Sequence, residues 1–155
     1  MCDEVVTSWD AIATRWAAAQ GERGDGNQRW IINPALYQLA GAVAGLRALD
    51  AACGGGHVAR ELARRGAVVT GIDSSAAMIG IAAGVEEGLG VTYRIGDISA
   101  MPELADGAFD LVVSSMALMN VPDIAGAFAE FARALRPAGR LVFSIPHPCY
   151  TWRHK

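Results

Sequence analysis

Hydrophobic and polar positions along this chain alternate between two periods, and the changes mark out strands and helices in turn. Residues 47–52 form a short apolar run carrying one acid, Asp50, and the glycines 54–56 follow at once. A run of this length closed by glycine reads as a buried strand leading into a tight turn. In residues 57–65, Val58, Leu62 and Ala63 fall on one helical face, with Arg60, Glu61, Arg64 and Arg65 on the other. Residues 67–72 give a second buried strand ending at Asp73, and Ser74 or Ser75 caps the apolar helix that follows. Residues 91–95 alternate as a third strand, followed by Asp97 and Ile98, and residues 108–114 form a fourth. Pro122 and Asp123 open a helix over 124–135 that buries Phe128, Phe131 and Leu135, and a turn at 137–139 leads to a fifth strand over 140–145. Strand and helix alternate throughout, which predicts an α/β fold, a doubly wound, mostly parallel sheet of five strands.

Two further helices precede the first strand. In residues 3–20, Val5, Trp9, Ile12, Ala13 and Trp16 recur at helical spacing, with Thr7 or Ser8 as N-cap and the tryptophans packed as core. A polar loop follows, and Pro34 stands at the first position of a second helix running to about residue 44. The chain is read as one domain, a helical segment over 1–45 and a core over 46–155.

Composition narrows the class. At 52% hydrophobic and 19% charged, the 155 residues are globular rather than disordered. The net charge of −3 supplies no basic field for nucleic acid or an anionic membrane. The apolar runs are interrupted well short of a membrane span, and the N-terminus has no signal-peptide pattern, so a cytoplasmic protein is expected. Cys2, Cys53 and Cys149 form no C-x-x-C pair and no disulfide framework, which suits a reducing compartment. His147, Cys149 and His154 match no zinc spacing, so no metal is expected.

In an open parallel sheet the ligand crevice lies at the carboxyl ends of the strands, so Asp50, the glycine loop and Asp73 face one cleft. Two ligand classes fit the loop. As G-x-G-x-x-G/A it gives Gly54, Gly56 and Ala59, with Asp73 placed to hold a ribose, the pattern of dinucleotide binding. As Asp50-x-Ala52-x-Gly54-x-Gly56 it resembles the acid-x-G-x-G-x-G signature of the Rossmann-like (class I) S-adenosylmethionine (AdoMet) methyltransferases, with Ala52 replacing the first glycine. A carboxylate just upstream of the helix repels a pyrophosphate but suits an ammonium and a sulfonium, so Asp50 favours the methyl donor.

The resemblance continues along the chain. D-S-S-A-A-M at 73–78 is similar to the family's D-x-S-x-x-M, residues 109–123 to its fourth motif block, and 132–149 to its R-x-L-x-P-G-G strand entry, with Ala138 for the first glycine. It implies that Asp50, Gly54 and Gly56, with Ala52 and Cys53 packed beside them, hold the methionine part of AdoMet. Asp73 and Ser74 then take the ribose, Met78, Asp97 and Ile98 the adenine, and Ser114 completes the set. Met78 as core filler and Asp97 as a turn cap remain the alternatives. The resemblance also implies that the N-terminal segment folds over the donor as a lid, and that a small-molecule acceptor attacks the methyl in line.

Where enzymes acting on planar nitrogens carry N-P-P-Y, this chain has Ser114, Ser115, Met116 and Ala117, which disfavours that chemistry. Met119 makes the acceptor side apolar, and Asn120 either orients the acceptor or caps the next helix. No catalytic base is assigned; His147 is the single candidate, the alternative being a histidine satisfied between two prolines. An NAD(P)-dependent oxidoreductase and a catalytically silent AdoMet-binding or interaction module are the rival readings. Relatives of this kind continue with further strands, so a fragment or shortened domain is expected, with its fifth strand at a sheet edge and self-association through that edge. With alanine at position 52 the loop is expected to keep its ligand-bound shape only if Ala52 has negative φ.

Overall fold

The computed structural model describes residues 3–86 and 88–147. Cys2, Cys149 and His154 lie outside them. Five strands, β1 (Arg47–Ala51), β2 (Val68–Asp73), β3 (Thr92–Ile95), β4 (Phe109–Ser115) and β5 (Leu135–Ser144), form one sheet in the order β3-β2-β1-β4-β5. Every pairing is parallel. The chain therefore starts in the middle of the sheet, builds outward to β3, and crosses back to β4 and β5. That reversal beside β1 opens a crevice at the carboxyl ends of the strands.

Side chains alternate across β1, so the core is double. Ala48 packs with Leu36 and Ala40 of α2 (Asn33–Ala40) and with Val58 and Leu62 of α3 (His57–Arg64). Leu49 and Ala51 pack on the other face with Ala127, Phe131 and Ala134 of α5 (Ile124–Ala134). In β4 the alternation slips, because Phe109 shares a face with Val112 while Leu111 and Val113 take the other. A register shift between Phe109 and Leu111 accounts for this. Asp110 at the shift accepts from the Arg47 N–H at 2.7 Å and pairs with the Arg136 guanidinium at 2.6 Å. The partner residue jumps from Leu135 to Arg140, so residues 136–139 loop out within β5, and the predicted turn lies inside the strand rather than before it.

Three boundaries differ from expectation for local reasons. The helix α1 (Asp3–Gln20) starts before Thr7 and Ser8, and the Ser8 hydroxyl instead donates to the Glu4 carbonyl at 2.7 Å. The second helix ends at Ala40, with Gly41 as its C-cap. It is preceded by a π-helical turn, Gln28–Ile32, immediately upstream of Pro34, which has no N–H to continue an α pattern. Arg60, assigned by spacing to the polar face of α3, is 2% exposed, because the segment between α1 and α2 covers it. Its guanidinium donates to the Gly55 carbonyl at 2.7 Å and to the Glu22 carbonyl at 3.5 Å.

Candidate functional site

A cleft of about 1340 Å³ lies at the carboxyl ends of the strands. Its sheet side is lined by Ala52, Cys53, Gly54 and Gly55, by Asp73, Ser74 and Met78, and by Ser115, Met116, Met119 and Asn120. Its roof comes from Trp9 and Trp16 of α1, from Gln28, Ile31 and Ile32 of the π turn, and from Leu39 of α2. Trp9 and Trp16 meet edge to face with centroids 5.4 Å apart, and Trp16 is 42% exposed, so the pair forms a wall of the cleft rather than core.

The loop between β1 and α3 takes its shape from backbone hydrogen bonds. The Cys53 N–H donates to the Ile72 carbonyl and the Gly56 N–H to the Cys53 carbonyl, each at 2.9 Å. Asp73 holds the loop from the side, accepting from the Gly54 N–H at 2.7 Å and, through its other oxygen, from the Ser75 N–H at 2.9 Å. Burial raises the pKa of this carboxyl, while the two N–H donors act against the shift.

Ala52 has φ +59°, contrary to the expected negative value. A left-handed alanine costs about 1–2 kcal/mol, and here the turn at the loop's entry requires it. Ala52→Gly is therefore expected to hold or raise the melting temperature and to change cofactor affinity by less than about threefold, since glycine's larger chain entropy offsets only part of the relief. Thermal melts with calorimetric titration check this; a loss of stability like that of an ordinary alanine-to-glycine change would count against strain at Ala52.

The other predicted residues divide. Met78 and Ser74 line the cleft, and Ser75, not Ser74, caps α4 (Ala76–Gly84), its hydroxyl accepting from the Met78 N–H at 3.1 Å. Asp50 is 1% exposed and lies off the cleft wall, with Oδ2 lacking a hydrogen-bond partner. Burial pushes its carboxyl up to about 7, with the Asp73 charge adding to the shift and the Ala59 N–H and Arg60 opposing it. Cys53 is buried, and its thiol is pushed up, which makes it a packing residue rather than a nucleophile. Ser114 is fully buried behind the wall, and its neighbour Ser115 reaches the cleft.

Asp97 and Ile98 also lie off the wall. Asp97 accepts from the Ser99 N–H at 2.9 Å and the Ser99 hydroxyl at 2.7 Å, and Ile98 packs in the core beside α5. Asn120 lines the cleft, while Asp123 caps α5 by accepting from the Gly126 N–H at 2.8 Å. His147 lies at the cleft edge.

Several site residues escaped the sequence reading because their partners are distant. Asp10 of α1 accepts from the Ser75 hydroxyl at 2.5 Å and the Ala77 N–H at 3.2 Å, tying the roof to α4. Gln28 meets His57 at the start of α3, Oε1 to Nε2 at 2.8 Å, and its own N–H donates to Asp25 at 2.9 Å. Burial, reinforced by Arg60, lowers the His57 pKa from 6.5 to about 4, so the ring is neutral and Nε2–H is the donor to Gln28.

These shifts predict opposed pH effects. The unfolded chain protonates His57 before the folded chain does, so stability from the neutral ring is complete above 6.5 and declines as pH falls toward 4. Asp50 behaves oppositely: its folded pKa is raised from 3.8 to about 7, so its contribution is complete below 3.8 and is lost as pH rises through 7. Denaturant midpoints measured at about pH 5 and about pH 7 are expected to fall with pH in His57→Gln and to rise with pH in Asp50→Asn. Identical pH slopes in the two variants would contradict the assignment.

A family profile described as "Methyltransferase domain" matches residues 49–143 of this chain. The chain belongs to the methyltransferase-domain family. A ubiquinone biosynthesis O-methyltransferase from Alkalilimnicola ehrlichii is 38% identical over 148 residues, covering 92% of this chain and 59% of that protein. Among solved structures, an S-adenosylmethionine-dependent methyltransferase from Mesorhizobium loti is 36% identical with a TM-score of 0.72, covering 83% of this chain and 57% of that one. A phospholethanolamine N-methyltransferase from Haemonchus contortus, solved with S-adenosylhomocysteine, is 27% identical with a TM-score of 0.76, covering 91% of this chain and 34% of that one. The family domain here has the class I S-adenosylmethionine-dependent methyltransferase fold, and the chain spans less than two thirds of the length of each of these relatives. Among the described residues no helix is long and apolar enough to cross a membrane.

Proposed function

We propose that this chain binds AdoMet and forms the donor half of a methyltransferase that acts on a small molecule through oxygen. The observation that carries the reading is the set of acceptors around the glycine loop: Asp73 lines the cleft, Asp50 lies buried beside it with one oxygen unpartnered, and the Arg60 guanidinium is engaged by the Gly55 and Glu22 carbonyls. Such a loop suits a cationic ligand and repels a pyrophosphate, which disfavours a nicotinamide cofactor. Preference for oxygen as the accepting atom rests on the name of the A. ehrlichii relative.

In this reading the 52–56 loop holds the methionine end with Asp50 buried behind it, Asp73 and Ser74 hold the ribose, and Met78 the adenine. Asp97 and Ile98 support the adenine end from behind the wall, and Ser114 supports the wall below Ser115. AdoMet, when bound, supplies a methyl made electrophilic by its sulfonium. The protein aligns the acceptor and excludes water, the roof over 1–45 serving as a lid on a core over 46–155. His147 is the candidate base, since it stands at the cleft edge. The reading includes a cytoplasmic location, supported by a buried free Cys53, and the acidic net charge supports no nucleic-acid partner. Calorimetry with AdoMet, S-adenosylhomocysteine and NADPH tests it: binding of the first two and not the third is expected. Binding of none would favour a silent module, and binding of NADPH alone an oxidoreductase.

β5 ends the sheet on one side, and Phe143 and Ile145 are exposed on or beside it. An apolar edge invites a further strand, so the chain is expected to self-associate through β5 in sedimentation. A stable monomer would refute this.

A further inference from the structure

We infer that Ser144 and Ser115 form the oxygen-binding end of the acceptor site, a pair of hydroxyl donors that receives an ionised oxygen of phenolate or enolate type. The inference rests on the methyltransferase reading and specifies its acceptor. The cleft wall around these serines is largely apolar, built from Met116, Met119, Val121 and Phe143, with Asn120 and His147 as its polar members. Ser115 and Ser144 are register partners at the ends of β4 and β5, with hydroxyl oxygens 3.4 Å apart. The Met116 N–H donates to the Ser144 hydroxyl at 3.1 Å and to the Ser144 carbonyl at 2.9 Å.

With one lone pair taken by that N–H, the Ser144 hydroxyl keeps its proton and one lone pair; one of them now meets Ser115, and the proton can turn to an oxygen placed between the two serines. Met116 itself is held at φ +53°, a conformation that persists in a non-glycine residue only where its surroundings fix it. The strained turn thus orients Ser144, and an oxygen placed between the two serines would accept from both. Among the described residues no carboxylate stands ready beside them to take a proton: of those on the cleft wall, Asp25 accepts from Gln28 and Asp73 from Gly54 and Ser75. Glu22, the remaining one, belongs to the loop on the roof side. The serines thus hold the acceptor as an ionised oxygen that keeps the electron pair of its broken O–H bond, the proton passing to water or to His147 at the cleft edge.

The probe is 4-nitrocatechol, whose ionised form absorbs at longer wavelength than its neutral form, titrated against the protein saturated with S-adenosylhomocysteine. Bound probe is expected to ionise at lower pH than free probe. Ser144→Ala and Ser115→Ala should each shrink that shift and weaken the ionised probe about tenfold, the usual worth of a hydrogen bond to a charged oxygen. Ser144→Thr keeps the hydroxyl and should keep the shift. Affinity for S-adenosylhomocysteine should stay within about twofold in all three, because the serines lie at the acceptor end. An unchanged optical shift in the double alanine variant, no binding of the probe by the parent protein, or a parallel loss of S-adenosylhomocysteine would overturn the inference. Failure of the parent protein to bind S-adenosylhomocysteine at all would sink the methyltransferase reading instead.

Discussion

Asp73→Ala is expected to weaken AdoMet by at least tenfold while the protein still folds. Asp73 stands where β2 ends and the cleft begins, and its carboxylate accepts the Gly54 and Ser75 N–H groups. Hydrogen bonds to a charged group contribute about 1.5–3 kcal/mol each, so removing the carboxylate loosens the loop and deletes the proposed ribose partner together. Stability should suffer less than affinity, because burying this charge already opposes folding, as its raised pKa records. Asp73→Asn should fall between, since an amide can accept one of the two N–H bonds. Calorimetric titration beside a thermal melt separates the effects, and an unchanged dissociation constant in a folded variant would remove Asp73 from the site.

Gly56→Ala should cost the most in stability. Gly56 sits at φ +79° as the N-cap of α3, and a Cβ there would crowd the Tyr93 hydroxyl, reach Tyr93 Cζ at 2.9 Å and touch the Ala82 methyl at 3.0 Å. The left-handed backbone costs about 1–2 kcal/mol and overpacking about 1–3 kcal/mol, so a loss of roughly 2–5 kcal/mol is expected. In a domain of this size that lowers the melting temperature by roughly 5–15 °C. AdoMet affinity should fall too, because α3 and the loop would shift away from β3. A melting temperature within about 2 °C of the parent would show that Tyr93 moves aside freely.

Local pattern carried the fold because the inner strands β1, β2 and β4 are largely buried and α3 and α5 each have one apolar stripe, signals that need no knowledge of distant residues. The glycine loop and Asp73 were legible for the same reason, since strand, turn, helix and acid lie within one stretch. What escaped depends on contacts across the chain. Arg60 looked like a surface residue until the 21–32 segment was laid over it, and nothing near Asp10 shows that its partner is the cap of α4. Ala52 was misjudged because alanine gives no sign of a left-handed backbone; only the crowded turn between Ile72 and Gly56 imposes it. Asp97 repeats the position of the other strand-end acids, and its Oδ1 accepts from Ser99, the turn contact that the sequence offered beside the adenine role.

The bond between Asp10 and the start of α4 makes one amide a clock for the roof. Ala77 N–H is held by Asp10 alone in this contact, whereas Met78 N–H is held by Ser75 within the helix itself. If α1 lifts as a lid would, Ala77 loses its acceptor and becomes open to deuterium, while Met78 stays protected until α4 unravels. The ratio of the two exchange rates therefore counts openings over the cleft, with no label attached to the protein and no acceptor needed.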